Sequence, residues 1–450
     1  MSIFRAYDIR GVYGKDLTEE TAELIGKAFG STLEGKVAVG QDVRLSSPAL
    51  AKALIKGMAS TGLEVVDVGV VPTPLLYFAI HRMRLTGGVM VTGSHNPPEY
   101  NGFKMCRGGT MTIYGDQIAQ IGKDMEKGDF RVGEGSVESH DIIDEYIDFI
   151  RERIKIHVKP KVVLDCANGT AGLVAPRLFR ELGCEVIELF PEPDGNFPNH
   201  PADPTVDENL ADLIAKVAKT GADVGFSYDG DADRAGFVDE RGGIIRGDQA
   251  LVLFSREILT DHPKAPIIFE VKCSMALTED ILAHGGVPIM YRTGHSFIKK
   301  KIKQENALMA GEMSGHFFFA DDYPGYDDGI YASARMLKLL AGHGVKMSEL
   351  SGTIPKYIST PEIRVEAAED VKFKLVDAVR EEMSKKEGVK IITVDGVRVE
   401  TDRGWGLMRA SNTGPKIILR FEGKTEADLE DMKELFRPAL SKHPELADAI

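Results

Sequence analysis

The segment Asp229-Gly230-Asp231-Ala232-Asp233-Arg234 sets three carboxylates on alternate residues and closes on an arginine. In an extended segment, side chains at i, i+2 and i+4 share a face. Carboxylates gathered in that way repel one another and need a compensating charge, which a divalent cation supplies. Their hard oxygens suit Mg2+ or Ca2+. An EF-hand calcium loop shares part of the spacing, with Asp229, Asp231, Asp233 and Glu240 at its positions one, three, five and twelve. Its sixth position needs glycine, and here it is Arg234, between flanks that look like strands. The better reading is a Mg2+ site, with Arg234 beside it to hold phosphate.

A second loop, Thr92-Gly-Ser-His-Asn-Pro-Pro98, offers the Ser94 hydroxyl as a nucleophile or phosphate acceptor. A hydrolase with Ser94 activated by His95 is the rival reading. Adjacent side chains usually diverge, however, and the segment is not a G-x-S-x-G elbow. A phosphate on Ser94 would bring about −1.5 to −2 charge. Mg2+ on Asp229, Asp231 and Asp233 could take one of its oxygens, making Ser94 a further metal partner and the phosphorus electrophilic. Transfer also needs cations around the spreading charge. Arg234, Lys104 and Arg10 are candidates, each otherwise an ordinary solvated side chain.

A threefold repeat positions these loops. Val37–Gly40, Pro48–Met58, Gly62 and Leu63–Val68 read as strand, helix, terminal glycine and strand. The order recurs from Val162–Asp165 to Cys184–Leu189, and again from Ile267–Glu270 to Val287–Met290. After each copy a further strand runs into a loop: Gly88–Val91 into the Ser94 loop, Ala222–Tyr228 into the acidic run, and Ala307–Ala310 into Gly311-Glu-Met-Ser-Gly-His316. Ligands of open α/β sheets bind beyond the carboxyl ends of strands, so Ser94, Asp229 and Glu312 are expected to face one cleft. After about Thr360 the pattern changes. Glu362–Val365, Lys390–Val394 and Lys416–Phe421 predict a smaller α+β domain on an antiparallel sheet. The fold expected is therefore three related α/β domains (1–147, 148–247 and 248–358) and a C-terminal α+β domain (359–450), around a central cleft.

The composition of the 450 residues is that of a globular protein, 43% hydrophobic and 28% charged. A net charge of −14 argues against nucleic acid as a partner. The N-terminus lacks the apolar core of a signal peptide, and no run approaches a membrane span. Four scattered cysteines suit reduced thiols in a cytoplasm. No feature points to an oligomeric state.

The remaining loops add to the chemistry. Glu312 can accept from the hydroxyls of a polyol, and Arg409, Ser411, Asn412 and Thr413 supply donors in a short loop suited to a phosphate. An unperturbed histidine at His295 would suit proton transfer, although a structural histidine is the commoner role. Lys299-Lys-Lys301 reads as a solvated helix face.

Thr92-Gly-Ser-His-Asn-Pro97, Asp229-Gly-Asp-Ala-Asp-Arg234, Gly311-Glu-Met-Ser-Gly-His316 and Arg409-Ala-Ser-Asn-Thr-Gly-Pro415 occur in the order seen in the α-D-phosphohexomutases. Phe4-Arg-Ala-Tyr-Asp-Ile-Arg-Gly11 resembles the start of the phosphomannomutase/phosphoglucomutase branch, and the likeness covers essentially the whole chain. The resemblance implies a phosphorylated Ser94, Mg2+ on Asp229, Asp231 and Asp233, and sugar hydroxyls on Glu312 and Ser314. It implies a distal-phosphate clamp of Arg409, Ser411, Asn412 and Thr413. Tyr7, Arg10, Lys104, Arg234, Lys272 and His295 would line the cleft, with Arg10 near the reacting phosphate and Lys104 and His295 as acid/base candidates. Gly414 departs from a family position that often carries a larger acidic or hydroxylated residue.

The activity so implied interconverts hexose 6-phosphates and 1-phosphates of mannose or glucose through a hexose 1,6-bisphosphate, which also serves as activator. Phosphoglucosamine mutase is the nearest alternative. A serine-dependent metal phosphatase and a calcium-binding module are the readings from other classes.

Overall fold

The fold is that of a computed structural model, which describes residues 3–411, 414–446 and 448–450. Three sheets carry the repeat. The first runs Ile9–Val12, Tyr100–Arg107, Gly87–Val91, Lys36–Gln41, Glu64–Val70, Ser136–Ser139. The second runs Ile244–Ile245, Ala235–Asp239, Val224–Tyr228, Lys161–Asp165, Glu185–Leu189, and the third Val287–Tyr291, Pro266–Glu270, Met309–Gly311, Phe317–Phe319. In each, the first strand of the repeat lies parallel between the second and third, and the third turns back antiparallel to the next. The chain therefore reverses direction across the sheet beside the first strand, where open α/β sheets leave a crevice.

Local sequence explains these units. Strands such as Lys161–Asp165 and Val224–Tyr228 are apolar runs because both faces are covered by helices. Helix Ser47–Ala59 starts with Pro48 in its first turn and buries Leu50, Ala51, Leu54, Ile55 and Met58, one face at helical spacing. The glycine ending each repeat helix, Gly62, Gly183 or Gly285, has a positive φ and donates its amide back into the last turn. The largest apolar core runs from Ala38 to Ile354 through all three units, so they pack as one body. Among the described residues no helix is long and apolar enough to cross a membrane.

The C-terminal sheet is antiparallel, in the order Ile358–Ser359, Lys416–Gly423, Gly404–Ala410, Val397–Glu400, Lys390–Ile392, with Ile363–Glu366 also on Lys416–Gly423. Helices Glu369–Met383 and Glu426–Leu440 cover it. Two of its strands, Val397–Glu400 and Gly404–Ala410, lie outside the segments expected from sequence. The first is masked by the inward-pointing Arg398, and the second is interrupted by Gly404 and Gly406. Arg398 is fully buried, donates to the carbonyls of Val271 (2.6 Å) and Cys273 (2.7 Å), and lies over the Trp405 ring. Arg420 likewise donates to the Lys272 carbonyl at 2.6 Å. Two buried guanidiniums thus tie the loop carrying Lys272 to the C-terminal sheet.

The same joint holds an ion pair, Lys272 Nζ to Glu362 Oε1 at 2.7 Å. Burial works against the charge of Glu362, but Lys272 overcomes it and holds the carboxyl down to about 2, from an ordinary 4.5. A carboxyl depressed on folding adds stability above its unfolded pKa and loses it as pH falls through the folded value. Glu362→Gln is therefore expected to destabilise the protein at pH 7, and by less and less between pH 4.5 and 2. Urea unfolding across that range checks it, and a pH-independent difference would refute the linkage.

Candidate active site

The three loops meet as the repeat requires. Ser94, beyond strand Gly87–Val91, donates its Oγ hydrogen to Asp229 Oδ2 at 2.8 Å, beyond strand Val224–Tyr228. Asp229, Asp231 and Asp233 are fully buried, and one oxygen of each lies within 4.8 Å of the others. The acidic segment is not extended, contrary to the expectation from its alternating spacing. It turns at Gly230 and Asp231, and Ala232 adopts φ +57. The carboxylates converge by the turn instead of by strand alternation. Gly230 matters for another reason as well, since a Cβ there would meet the Ser94 carbonyl at 2.5 Å.

Lys104, on strand Tyr100–Arg107, answers part of the negative charge. Its ammonium lies 2.7 Å from Asp231 Oδ2 and also bonds Asp233 Oδ2. Burial would raise the Asp231 pKa, but Lys104 holds it well below the carboxylate range. Burial and the two neighbouring carboxylates push Asp229 well above that range. Asp231 Oδ1 and Asp233 Oδ1 stay buried without a hydrogen-bond partner. Three close carboxylates with two orphaned hard oxygens fit a divalent cation such as Mg2+.

Arg10 donates to the Gly93 carbonyl (2.8 Å) and to Asn96 Oδ1 (2.6 Å), bracing the serine loop. His95 does not diverge from Ser94: its Nδ1 lies 3.2 Å from Ser94 Oγ, because the left-handed Ser94 backbone (φ +47) folds the two side chains together. The Ser94 loop also depends on a residue that sequence reasoning missed. The buried Arg44 binds four of its carbonyls.

His316 ends the Gly311–His316 motif, and its role is not visible from the sequence. Arg234 Nε donates to its Nε2 at 3.0 Å. A guanidinium only donates, so Nε2 is the unprotonated nitrogen of a neutral ring, and the proton sits on Nδ1, 3.1 Å from Asp327 Oδ2. That tautomer makes Asp233, His316 and Asp327 a poor second metal site, despite the closeness of their ligand atoms. His295 begins helix His295–Glu305, stacks on His316 at 5.7 Å and sits 3.6 Å from Asp327 Oδ2. Burial, then Lys299, lowers its pKa well below the usual histidine value. Lys299 is not the solvated lysine expected. It is 2% exposed, 3.1 Å from Asp327 Oδ1 and over the Tyr77 ring. The buried Asp327 draws it inward.

Glu312 is buried, accepts from the Gly294 amide, and has its pKa raised by burial. Ser314 is half-buried in the same turn. Tyr7 donates to the Thr293 carbonyl at 2.8 Å. Asp395 Oδ2 accepts from both the Thr293 amide (3.0 Å) and Arg409 Nε (2.9 Å), joining the C-terminal loop to the rest. Lys272 lies 3.7 Å from Glu270, which also accepts from Thr293 Oγ1. A second missed cation, the buried Lys372, donates to the carbonyls of Ser411 (2.6 Å) and Gly414 (3.0 Å), the two shoulders of that loop. Asn412 and Thr413 lie outside the described residues.

Asp231→Asn takes one carboxylate from this candidate cation cluster and unbalances Lys104. It is expected to weaken Mn2+ binding at least about tenfold, by electron paramagnetic resonance titration, on the scale of a buried charge partner. Unchanged affinity would move the cation away from this triad.

Family models agree with this architecture unit by unit. Phosphoglucomutase/phosphomannomutase alpha/beta/alpha domains I, II and III match residues 1–132, 144–243 and 246–357, and the C-terminal domain matches 362–439. A phosphomannomutase/phosphoglucomutase of Pseudomonas aeruginosa is 50% identical over 443 residues, 98% of this chain and 95% of that one. A phosphoglucomutase of Neisseria gonorrhoeae is 44% identical over 451 residues, 99% of this chain and 98% of its own. The crystal structure of a phosphoglucomutase/phosphomannomutase family protein from Burkholderia thailandensis superposes with a TM-score of 0.94 at 45% identity, covering 100% of this chain and 98% of that one. Matched along nearly its whole length in sequence and in fold, the chain belongs to the phosphoglucomutase/phosphomannomutase family.

Proposed function

We propose that this chain interconverts hexose 6-phosphates and hexose 1-phosphates, of mannose and glucose, with phospho-Ser94 as donor and acceptor. The observation that carries the reading is the 2.8 Å contact of Ser94 Oγ with the buried, cation-ready triad. Family membership supports it, and the Pseudomonas relative's name joins both activities.

In the first half-reaction the phosphorus–Oγ bond of phospho-Ser94 breaks as a bond forms to the free hydroxyl oxygen of the sugar phosphate. As the phosphate draws Arg234 away, the freed lone pair of His316 Nε2 takes the hydroxyl proton, and the neighbouring Asp327 carboxylate favours the imidazolium. Lys104 returns a proton to Ser94 Oγ. Mg2+ on Asp229, Asp231 and Asp233 would neutralise phosphate charge. Glu312 and Ser314 orient the sugar, while Arg10, Arg234 and Lys272 attract the phosphates. The hexose 1,6-bisphosphate then turns over, and Ser94 takes back phosphate from its other end; added bisphosphate would recharge any enzyme that lost it. Tyr7 and His295 complete the cleft wall. The C-terminal unit (359–450), with Arg409, Ser411, Asn412 and Thr413 at the distal phosphate, closes on the α/β units (1–147, 148–247 and 248–358) and excludes water. A soluble phosphosugar substrate and four unbonded, buried cysteines suit a cytoplasmic enzyme.

Phosphorus NMR with Mg2+ and a trace of glucose 1,6-bisphosphate tests the reading on mannose, glucose and glucosamine 1-phosphates. The expected product is the 6-phosphate of mannose and glucose, formed at least about 10³-fold more slowly by Ser94→Ala, since nucleophile loss removes the covalent route. Inorganic phosphate as the main product would make the protein a phosphatase, and glucosamine 6-phosphate alone would change the sugar.

A further inference from the structure

We propose that Arg44 is a positioning residue that makes the phosphate of Ser94 pass to sugar and not to water. The inference rests on the reading of Ser94 as the phosphoryl carrier. Arg44 follows strand Lys36–Gln41, is 1% exposed, and does not lie among the catalytic motifs. Nε donates to Asp42 Oδ2 at 3.1 Å, Nη1 to the carbonyls of Pro97 (2.6 Å) and Tyr100 (2.9 Å), and Nη2 to those of Ser94 (2.7 Å) and Asn96 (2.6 Å). All five N–H groups of the guanidinium are used, four of them on one loop. The loop leaves no slack around it, since a Cβ on Gly93 would fall 2.4 Å from the guanidinium carbon.

Two features tie this clamp to the reacting atoms. Ser94 holds φ +47, a strained value for a residue with a Cβ that persists only where surroundings enforce it. The Ser94 carbonyl that Arg44 grips is also the atom pressed against Gly230 of the acidic turn. Phe197 closes the seam, its ring 5.2 Å from the Arg44 guanidinium and against Gly230. Arg44 therefore sets where Oγ stands relative to Asp229. Misplacing a reacting group by about 1 Å can cost 10²-fold in directed transfer, whereas water needs no such alignment. Lysine cannot replace a planar five-donor fork with one point charge.

The test loads the full-length protein on Ser94 with glucose 1,6-bisphosphate, confirms the phosphate by intact mass, and follows its fate with glucose 1-phosphate present. The readout is the ratio of transfer to hydrolysis, which does not depend on how much enzyme is folded. Arg44→Lys is expected to lower that ratio at least about tenfold, through slower transfer and little change in hydrolysis. A wild-type ratio overturns the proposal, even if total activity falls. Asp42→Asn, which keeps Arg44 but weakens its anchor, serves if the lysine variant does not fold; it must lower the ratio at least about threefold, and an unchanged ratio also overturns the proposal. A wild-type protein that takes up no phosphate would remove the carrier role of Ser94 and the proposal together.

Discussion

Three carboxylates buried side by side are the constraint around which this molecule is arranged. Asp229, Asp231 and Asp233 have no exposure, and water cannot screen their repulsion. One ammonium, Lys104, and one guanidinium, Arg234, lie close to them and leave two oxygens unanswered. Such a cluster needs surrounding loops that are held rigidly, and its remaining charge suits either a proton on Asp229 or a further cation. In the proposed function, this costly gathering of carboxylates is what would activate a phosphate on Ser94.

Buried cations supply the rigidity. Arg44 holds the Ser94 loop, Arg398 and Arg420 hold the Lys272 loop, and Lys372 holds the loop after Arg409, each by its carbonyl oxygens. Loop carbonyls bend inward at these places and would be costly without donors. A buried cation satisfies several at once and fixes their spacing. The same device recurs in the first unit, at the third–fourth joint and in the fourth unit.

Polar contacts also run continuously across the cleft, from Ser94 through Asp229, Arg234, His316 and Glu312 to Gly294, then from Thr293 through Asp395 to Arg409. Three of the steps cross between units: Ser94–Asp229 joins the first to the second, Arg234–His316 the second to the third, and Thr293–Asp395 the third to the fourth. Asp395 thereby couples the Arg409 guanidinium to the loop before His295.

The sequence by itself determined the threefold repeat, the antiparallel fourth sheet and the loops that carry chemistry. Apolar runs, helical faces and terminal glycines are local signals, as are short polar motifs at strand ends. Tertiary structure alone decided the rest, because charge and contact are properties of neighbours distant in the chain. Arg44 looks like any surface arginine until four carbonyls surround it, and Lys299 looks solvated until Asp327 draws it in. The strand Val397–Glu400 hides behind an inward-facing Arg398 that makes sense only against the third unit. The protonated nitrogen of His316 is settled by Arg234, 82 residues away. Side-chain types and spacing named the chemistry available; only packing assigned each buried charge its partner.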